Sequence, residues 1–264
     1  MTLHLVLVEP AGPLNVGSVA RLCANYELAG LRLVAPRCDP LGEEALRMAV
    51  HGRPVLQAAR TYPTLAAALA DCRRVVATSG RGEGEPLPLD PPERALAWLR
   101  AAPAAEPSAL VFGREDRGLG NDELRQAGRL LHIPTGGSYG SLNLSHAVAV
   151  VLHEWQSLRE GRNASPTGAS SAGALPPEPA PRAALEATLA DAEALLLEVG
   201  FLHAHTARAR MAKLRTLLQR AQPGSNEVAL LRGMVAQLRW ASRRGLPIDA
   251  TPSVGAFPPP LPPP

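Results

Sequence analysis

Five short apolar runs, each followed by a stretch with helical spacing, fill the first 160 residues, and this alternation constrains the fold more than any other feature of the chain. The runs are Leu3 to Val8, Leu31 to Val34, Arg74 to Thr78, Ala109 to Phe112 and Leu130 to Ile133. Each is leucine-rich or β-branched with polar, Pro or Gly edges, as strands covered on both faces are. Helical spacing recurs over Val16 to Leu28, Gly42 to Val50, Thr64 to Ala70, Pro92 to Ala101 and Asp122 to Ala127, and a long apolar helix, Leu144 to Arg159, closes the unit. Strand and helix in repeated alternation predict an α/β fold: a mostly parallel sheet with helices on both faces, and a ligand site at the carboxyl ends of the strands.

Beyond residue 160 the composition changes twice. Residues 161–182 hold almost only Gly, Ala, Ser, Thr, Pro and scattered polar side chains. They cannot bury an apolar face, and read as a flexible linker between a domain at 1–160 and an extension at 183–244. Leucines and alanines at helical spacing over 183–199, 207–221 and 226–242, interrupted by Gly200 and Pro223-Gly224, predict a small element of three helices. Residues 245–264 finish in a proline run and read as a disordered tail with no packing role.

The formal net charge is only +3, yet 200–248 carries nine basic side chains against the single acid Glu227. So lopsided a segment points to a polyanion partner; the plainer alternative is a solvated helix face in an arginine-biased chain whose one lysine is Lys213. No apolar run approaches the roughly 20 residues of a membrane span. The first run is too short for a signal-peptide core and lacks a basic flank, so a cytoplasmic protein is expected, away from membranes. Cys23, Cys38 and Cys72 are odd in number, widely spaced and without Cys/His ligand spacing, which argues against a disulfide framework and a zinc site. No metal is expected.

Three loops at predicted strand ends carry chemistry. In the first, Glu9 to Arg21, Gly12 and Gly17 bracket a turn, Asn15 can cap the following helix, and Arg21 lies about two turns along it. The G-x-G-x-x-G fingerprint is absent and no acid ends the second strand, so a nicotinamide-dependent dehydrogenase is not indicated. Taken alone, Asn15 is as readily a plain cap and Arg21 a surface residue. The second loop, Val111 to Gly120, packs Arg114, Glu115, Asp116 and Arg117 between Gly113 and Gly118. The third, Ile133 to Ser145, is glycine-rich and exposes backbone groups that can grip a purine edge, although Asn143 and Ser145 can also be read as helix caps.

Together and in this order, the loops resemble those of the SPOUT class (SpoU/TrmH-like) of S-adenosylmethionine-dependent RNA 2′-O-ribose methyltransferases. The shared motifs are N-x-G-x-x-x-R over Asn15 to Arg21, F-G-R-E-x-x-G-L over Phe112 to Leu119, and I-P followed by Y-x-S-L-N-L-S over Ile133 to Ser145. The extension is most similar to that of the TrmJ-type tRNA methyltransferases, with Gly200-Phe201 and then M-x-K-L-R, R-A-x-P and E-x-x-x-L-R-G between Met211 and Gly233. The resemblance implies a C-terminal trefoil knot in the catalytic domain, a homodimer with each site completed near the partner subunit, S-adenosyl-L-methionine as cofactor and tRNA as substrate.

It further implies methylation of cytidine or uridine 32 in the anticodon loop. Thr78, Ser79, Gly80, Gly113, Ile133, Gly140, Ser141 and Leu142 would hold the cofactor. Arg21, Asn15, Ser141 and Asn143 would form the catalytic group, and Arg21, Tyr139, Arg114 and Glu115 would contact the RNA. Arginine is a poor general base, so Arg21 is expected to clamp an RNA phosphate and the developing alkoxide. Gly120 and Gly140 stand where relatives often carry Ser, Thr or Pro, and neither departure removes a catalytic group. Ribosomal RNA as substrate, and a non-catalytic RNA-binding dimer, are the competing readings.

Overall fold

A computed structural model of the chain describes residues 2–80, 86–103, 105–136, 140–160 and 178–243. Its strands are β1 (Thr2–Val8), β2 (Gly30–Val34), β3 (Arg60–Tyr62), β4 (Arg74–Thr78), β5 (Leu89–Asp90), β6 (Pro107–Phe112) and β7 (Arg129–Leu131). Helices α1 (Pro13–Asn25), α2 (Glu43–Ala49), α3 (Arg53–Gln57), α4 (Leu65–Ala68), α5 (Pro92–Arg100), α6 (Asn121–Leu124) and α7 (Leu144–Arg159) alternate with them, and α8 (Arg182–Glu198), α9 (Ala204–Ala221) and α10 (Ser225–Arg243) follow. All neighbouring strands pair parallel, in the order β3-β2-β1-β6-β4-β7-β5. The predicted α/β architecture is therefore the one adopted, with β7 inserted between two strands that precede it in the chain.

The period of two along each strand divides the core. Leu3, Leu5 and Leu7 of β1 and Leu110 and Phe112 of β6 face a cluster closed by α1, α2, α5 and α7. Val6, Val8, Ala109 and Val111 face the opposite cluster, closed by α4, α6 and Leu119. Because both faces of β1 and β6 are covered, their sequences read as continuous apolar runs.

Two strands escape the sequence reading. β3 and β5 are edge strands of three and two residues, each paired on one side only, and carry no apolar run to announce them. Helix α3 is missed because Pro54, which sits harmlessly in its first turn, reads as a breaker inside an apolar segment. Helix α1 begins at Pro13 with Gly12 as its N-cap, so Asn15 lies inside the first turn and is not the cap that the sequence suggests. The cap-free start of α6 is compensated locally, since the Gly120 N–H donates to the Glu123 carboxylate at 2.7 Å.

Residues 161–177 and the proline-rich 245–264 lie outside the described residues. Residues 178–182, grouped with the linker by composition, are structured: Pro179 bridges to Gly224, and the Ala180 N–H donates to the Pro223 carbonyl at 2.8 Å. Arg182 opens α8 and is itself buried, donating to the Gln219 side chain and the Gln126 carbonyl. Burial pulls its pKa down to about 10. Arg74 donates to Glu178 at 2.6 Å, and the Gln222 amide donates to the Gly128 carbonyl at 3.2 Å. The three extension helices enclose a third core around Leu185, Leu189, Met211 and Val228 and dock on the sheet domain through these polar contacts.

His4, on β1, has a buried Nδ1 with no hydrogen-bond partner among the described residues. Burial, reinforced by the Arg32 guanidinium, pushes its pKa down to about 4. A histidine with a folded pKa below its unfolded value near 6.5 contributes its full share of stability above that value and loses it as pH falls toward about 4. Wild-type protein is therefore expected to lose more of its urea midpoint between about pH 6.5 and 4 than the His4→Gln variant does; parallel curves would remove His4 from the acid response.

Candidate active site

The carboxyl ends of β4, β6 and β7 open into a cleft of about 430 Å³. Thr78, Ser79 and Gly80 leave β4 into it, Gly113 to Leu119 leave β6, and Ile133 with Gly140, Ser141 and Leu142 enters after β7. All eight residues assigned to cofactor binding thus line one cavity. Phe112, Leu119, Leu144 and Ala147 supply apolar wall. This mix of apolar surface with converging backbone and hydroxyl groups suits a nucleoside-sized ligand.

Backbone contacts hold the walls in place. The Ser79 N–H donates to the Leu131 carbonyl at 2.9 Å, and the Thr78 hydroxyl donates to the Val111 carbonyl at 3.2 Å, tying β4 to both neighbours. The loop after β6 folds back on itself through a bridge between Arg114 and Gly118, with Gly118 at φ +67. A Cβ on Gly113 would lie 2.3 Å from the Gly118 carbonyl carbon, so only glycine lets the loop close. At Gly80 a Cβ would meet nothing within 4 Å among the described residues, which leaves this rim open toward the cavity.

The charges of the second loop are engaged within the protein. Arg114 donates to both Glu123 carboxylate oxygens at 2.8 Å and also to Glu9. Donating to Glu9 and Glu123 raises the Arg114 pKa further, and the bond from Arg114 holds the Glu9 carboxyl below its usual range. Glu115 accepts from the Ala11 N–H at 3.1 Å, the Gly12 N–H at 3.0 Å and the Asn15 side-chain amide at 3.2 Å. Burial alone would raise the Glu115 pKa, but these hydrogen bonds outweigh it and leave the carboxyl below its usual range. Arg114 and Glu115, expected at the RNA, therefore both line the cleft and brace its loops. Neither Glu9 nor Glu123 was singled out from the sequence, because only the folded chain brings residues 9 and 123 around Arg114.

Asn15 is the junction of the site. While its amide nitrogen donates to Glu115, its oxygen accepts from the Asn143 amide at 3.1 Å. Asn143 caps α7, its oxygen accepting from the Ser145 N–H at 2.9 Å and the Ser145 hydroxyl at 2.7 Å. One chain of hydrogen bonds thus links all three loops. Arg21 stands apart: it is exposed, outside the cleft lining, and makes no ion pair or hydrogen bond with a described residue. Its backbone is fixed against Gly52, where a Cβ would lie 2.6 Å from the Arg21 Cα. Tyr139 lies outside the described residues.

Glu115→Ala would leave the Ala11 and Gly12 amides and Asn15 without their shared acceptor. A loss of about 1–3 kcal/mol in urea unfolding is expected, with Glu115→Gln recovering part of it through its remaining oxygen. Equal stability of all three proteins would show that the junction does not hold the loops.

Comparisons with known proteins bear on both parts of the chain. A model described as the SpoU rRNA Methylase family matches residues 2–153, and one described as the tRNA methyltransferase TrmJ C-terminal domain matches residues 183–246. The tRNA (cytidine/uridine/adenosine-2′-O-)-methyltransferase TrmJ of Pseudomonas aeruginosa is 36% identical over 245 residues, covering 91% of this chain and 95% of that protein. The tRNA (cytidine/uridine-2′-O-)-methyltransferase TrmJ of Salmonella typhimurium is 37% identical over 247 residues, covering 91% and 98%. Among solved structures, TrmJ from Z. mobilis aligns over 90% of this chain and 99% of its own with TM-score 0.77 and 33% identity. A probable methylase family protein from Haemophilus influenzae aligns over 92% and 97% with TM-score 0.57 and 27% identity.

Proposed function

The chain belongs to the SpoU methylase family, and from that membership we propose that it transfers a methyl group from S-adenosyl-L-methionine to a ribose 2′-hydroxyl of tRNA. The observation that carries this reading is the three-loop cleft joined through Asn15 and accompanied by an extension of the TrmJ type. The extension favours tRNA over ribosomal RNA. The complete set of loop residues favours an enzyme over a binding protein that has lost catalysis.

The cleft fits the cofactor. Its volume of about 430 Å³ lies within the range of small-molecule sites, and Gly80 and Gly140 clear space for close approach of the ligand to backbone, while Gly113 lets the loop after β6 close beside it. Bound there, the cofactor supplies a methyl group on a sulfonium. Transfer forms a carbon–oxygen bond as the carbon–sulfur bond breaks, and the 2′-hydroxyl proton leaves to an RNA phosphate or water.

Arg21 clamps the phosphate and the developing alkoxide, a role that a planar guanidinium fills better than a point charge. Asn15, Asn143 and Ser141 set the geometry of α1 and the third loop around it, and Tyr139 contacts the target nucleotide. Since Arg21 does not line the cleft of its own subunit, it acts at a site completed across a homodimer. The chain around β7 and α7 forms the trefoil knot of the family. The target is nucleotide 32, cytidine or uridine, and the enzyme works in the cytoplasm, where its substrate is. No helix among the described residues is long and apolar enough to cross a membrane, and no cluster of three or more His, Cys, Asp or Glu among them could hold a metal ion.

The test is mass spectrometry of oligonucleotide fragments from nuclease-digested tRNA of a strain lacking the gene, with methylation restored in vitro by purified protein, S-adenosylmethionine and EDTA. Loss and restoration of the 2′-O-methyl mark at position 32 is expected. A mark lost from ribosomal RNA and retained in tRNA would overturn the substrate, and turnover abolished by EDTA would overturn the metal-free mechanism.

A further inference from the structure

The basic side chains of the extension fall into two sets. Of the eight on α9 and α10, five are paired with carboxylates: Arg208 with Asp122 at 2.7 Å, Arg215 with Glu186 at 2.9 Å, Arg232 with Asp191 at 4.0 Å, and Arg239 and Arg243 with Glu198 at 3.9 and 3.4 Å. Four of these five pairs use acids of α8, which the count over 200–248 leaves out. Across residues 178–243 there are nine basic against six acidic side chains, so the extension as a whole is far less positive than its second half suggests. Arg210, Lys213 and Arg220 remain, exposed and with no carboxylate partner among the described residues.

These three share one face of α9. Their spacing of three and seven residues, with Leu217 between, places all four side chains in a single stripe about 15 Å long. Leu217 is 52% exposed. At the head of the stripe Gly200, at φ +76, turns the chain so that Phe201 stands 61% exposed. Arg210 lies over its ring at 5.8 Å and donates to its carbonyl at 3.1 Å. This end of α9 is tied by Arg208 to Asp122 of α6, a helix that begins two residues after the cleft residue Leu119. The far end is tied by Gln222 to Gly128, at the amino end of β7. Helix α9 therefore runs from the cleft end of the sheet domain toward the amino end of β7, with the stripe on the side away from Arg208.

We propose that this face of α9 is the RNA-contacting surface of the extension, with Arg210, Lys213 and Arg220 on phosphates and Phe201 stacked on an unpaired base. The five paired arginines instead hold the extension together and against the sheet domain. The assignment rests on the tRNA reading above and goes beyond it in dividing the cations. A free exposed cation releases counterions on meeting a phosphate, whereas a paired one must first give up its carboxylate. An exposed aromatic ring beside cations offers the sequence-tolerant stacking surface that single-stranded nucleotides use.

The experiment measures binding of a tRNA transcript to the full chain across a salt series. The triple variant R210Q/K213Q/R220Q is expected to lower the slope of log K against log salt by about 2–3, while R215Q/R239Q leaves it unchanged. Phe201→Leu is expected to weaken binding roughly tenfold at unchanged slope, and Phe201→Trp to retain it. Equal slope changes in the two arginine sets, or none in either, would overturn the division of the cations. Phe201→Leu binding like wild type would overturn the stacking. A fall in oligomeric mass by light scattering with tRNA binding intact would make the face an interface between copies and overturn the proposal. If wild-type protein binds tRNA with the expected slope yet methylates none, the surface stands and the enzymatic reading falls.

Discussion

Arg21→Ala is expected to lower methyl transfer to tRNA by about 10²–10³-fold while S-adenosylmethionine affinity stays within a few fold. The magnitude is that of removing one donor aimed at developing negative charge. The separation follows from geometry, since Arg21 is exposed on α1 and absent from the cleft lining, whereas the residues proposed to hold the cofactor form that lining. Arg21→Lys should recover only part of the activity, because an ammonium cannot present two parallel donors to a phosphate. The proposed dimer adds a sharper check. If Arg21 serves the partner's cleft, mixing Arg21→Ala with a variant that fills the cofactor cleft, such as Gly80→Leu, whose added side chain meets no described atom within 4 Å of its Cβ, should restore activity in the mixed dimer. Parallel losses of cofactor affinity and turnover in Arg21→Ala would place the residue in cofactor binding instead.

Ending the chain at residue 160 is expected to leave a folded, cofactor-binding domain that methylates tRNA at least about a hundredfold more slowly at 150 mM salt. The sheet domain has two cores of its own, and the extension encloses a third, so removing the latter takes no residue from the former. The domain does lose polar partners, since Arg74 gives up Glu178 and the Gly128 carbonyl gives up Gln222. A modest fall in thermal midpoint should therefore accompany the loss of activity. The measurements are kcat/KM with whole tRNA, cofactor affinity by calorimetry, and the thermal midpoint. Truncated protein that methylates whole tRNA as well as the full chain would leave the extension with a packing role only.

Much of the fold is legible locally. Strands buried on both faces advertise themselves as apolar runs, and β1, β2, β4 and β6 fall within two residues of the runs that predict them. β3 and β5 do not, because a two- or three-residue edge strand is stabilised by its neighbour and carries little signal of its own. The glycine-rich loops are legible for the same local reason. Gly113 and Gly118 are required by backbone geometry within one short stretch of chain.

Partner choice is another matter. The sequence shows that Arg114, Glu115 and Asn15 are polar residues at strand ends; it cannot show that Arg114 faces Glu9 and Glu123, or that Asn15 stands between Glu115 and Asn143, which lie 100 and 128 residues away along the chain. Likewise, counting charge over a window takes every arginine of the extension as available, although α8 folds back to pair with four of them. By itself, then, the sequence determined the α/β architecture, the strand ends where the loops meet and the residue types placed there. Only the tertiary structure decided which charges cancel one another and which stay exposed, because hydrophobic periodicity is a property of neighbours along the chain whereas an ion pair is decided by neighbours in space.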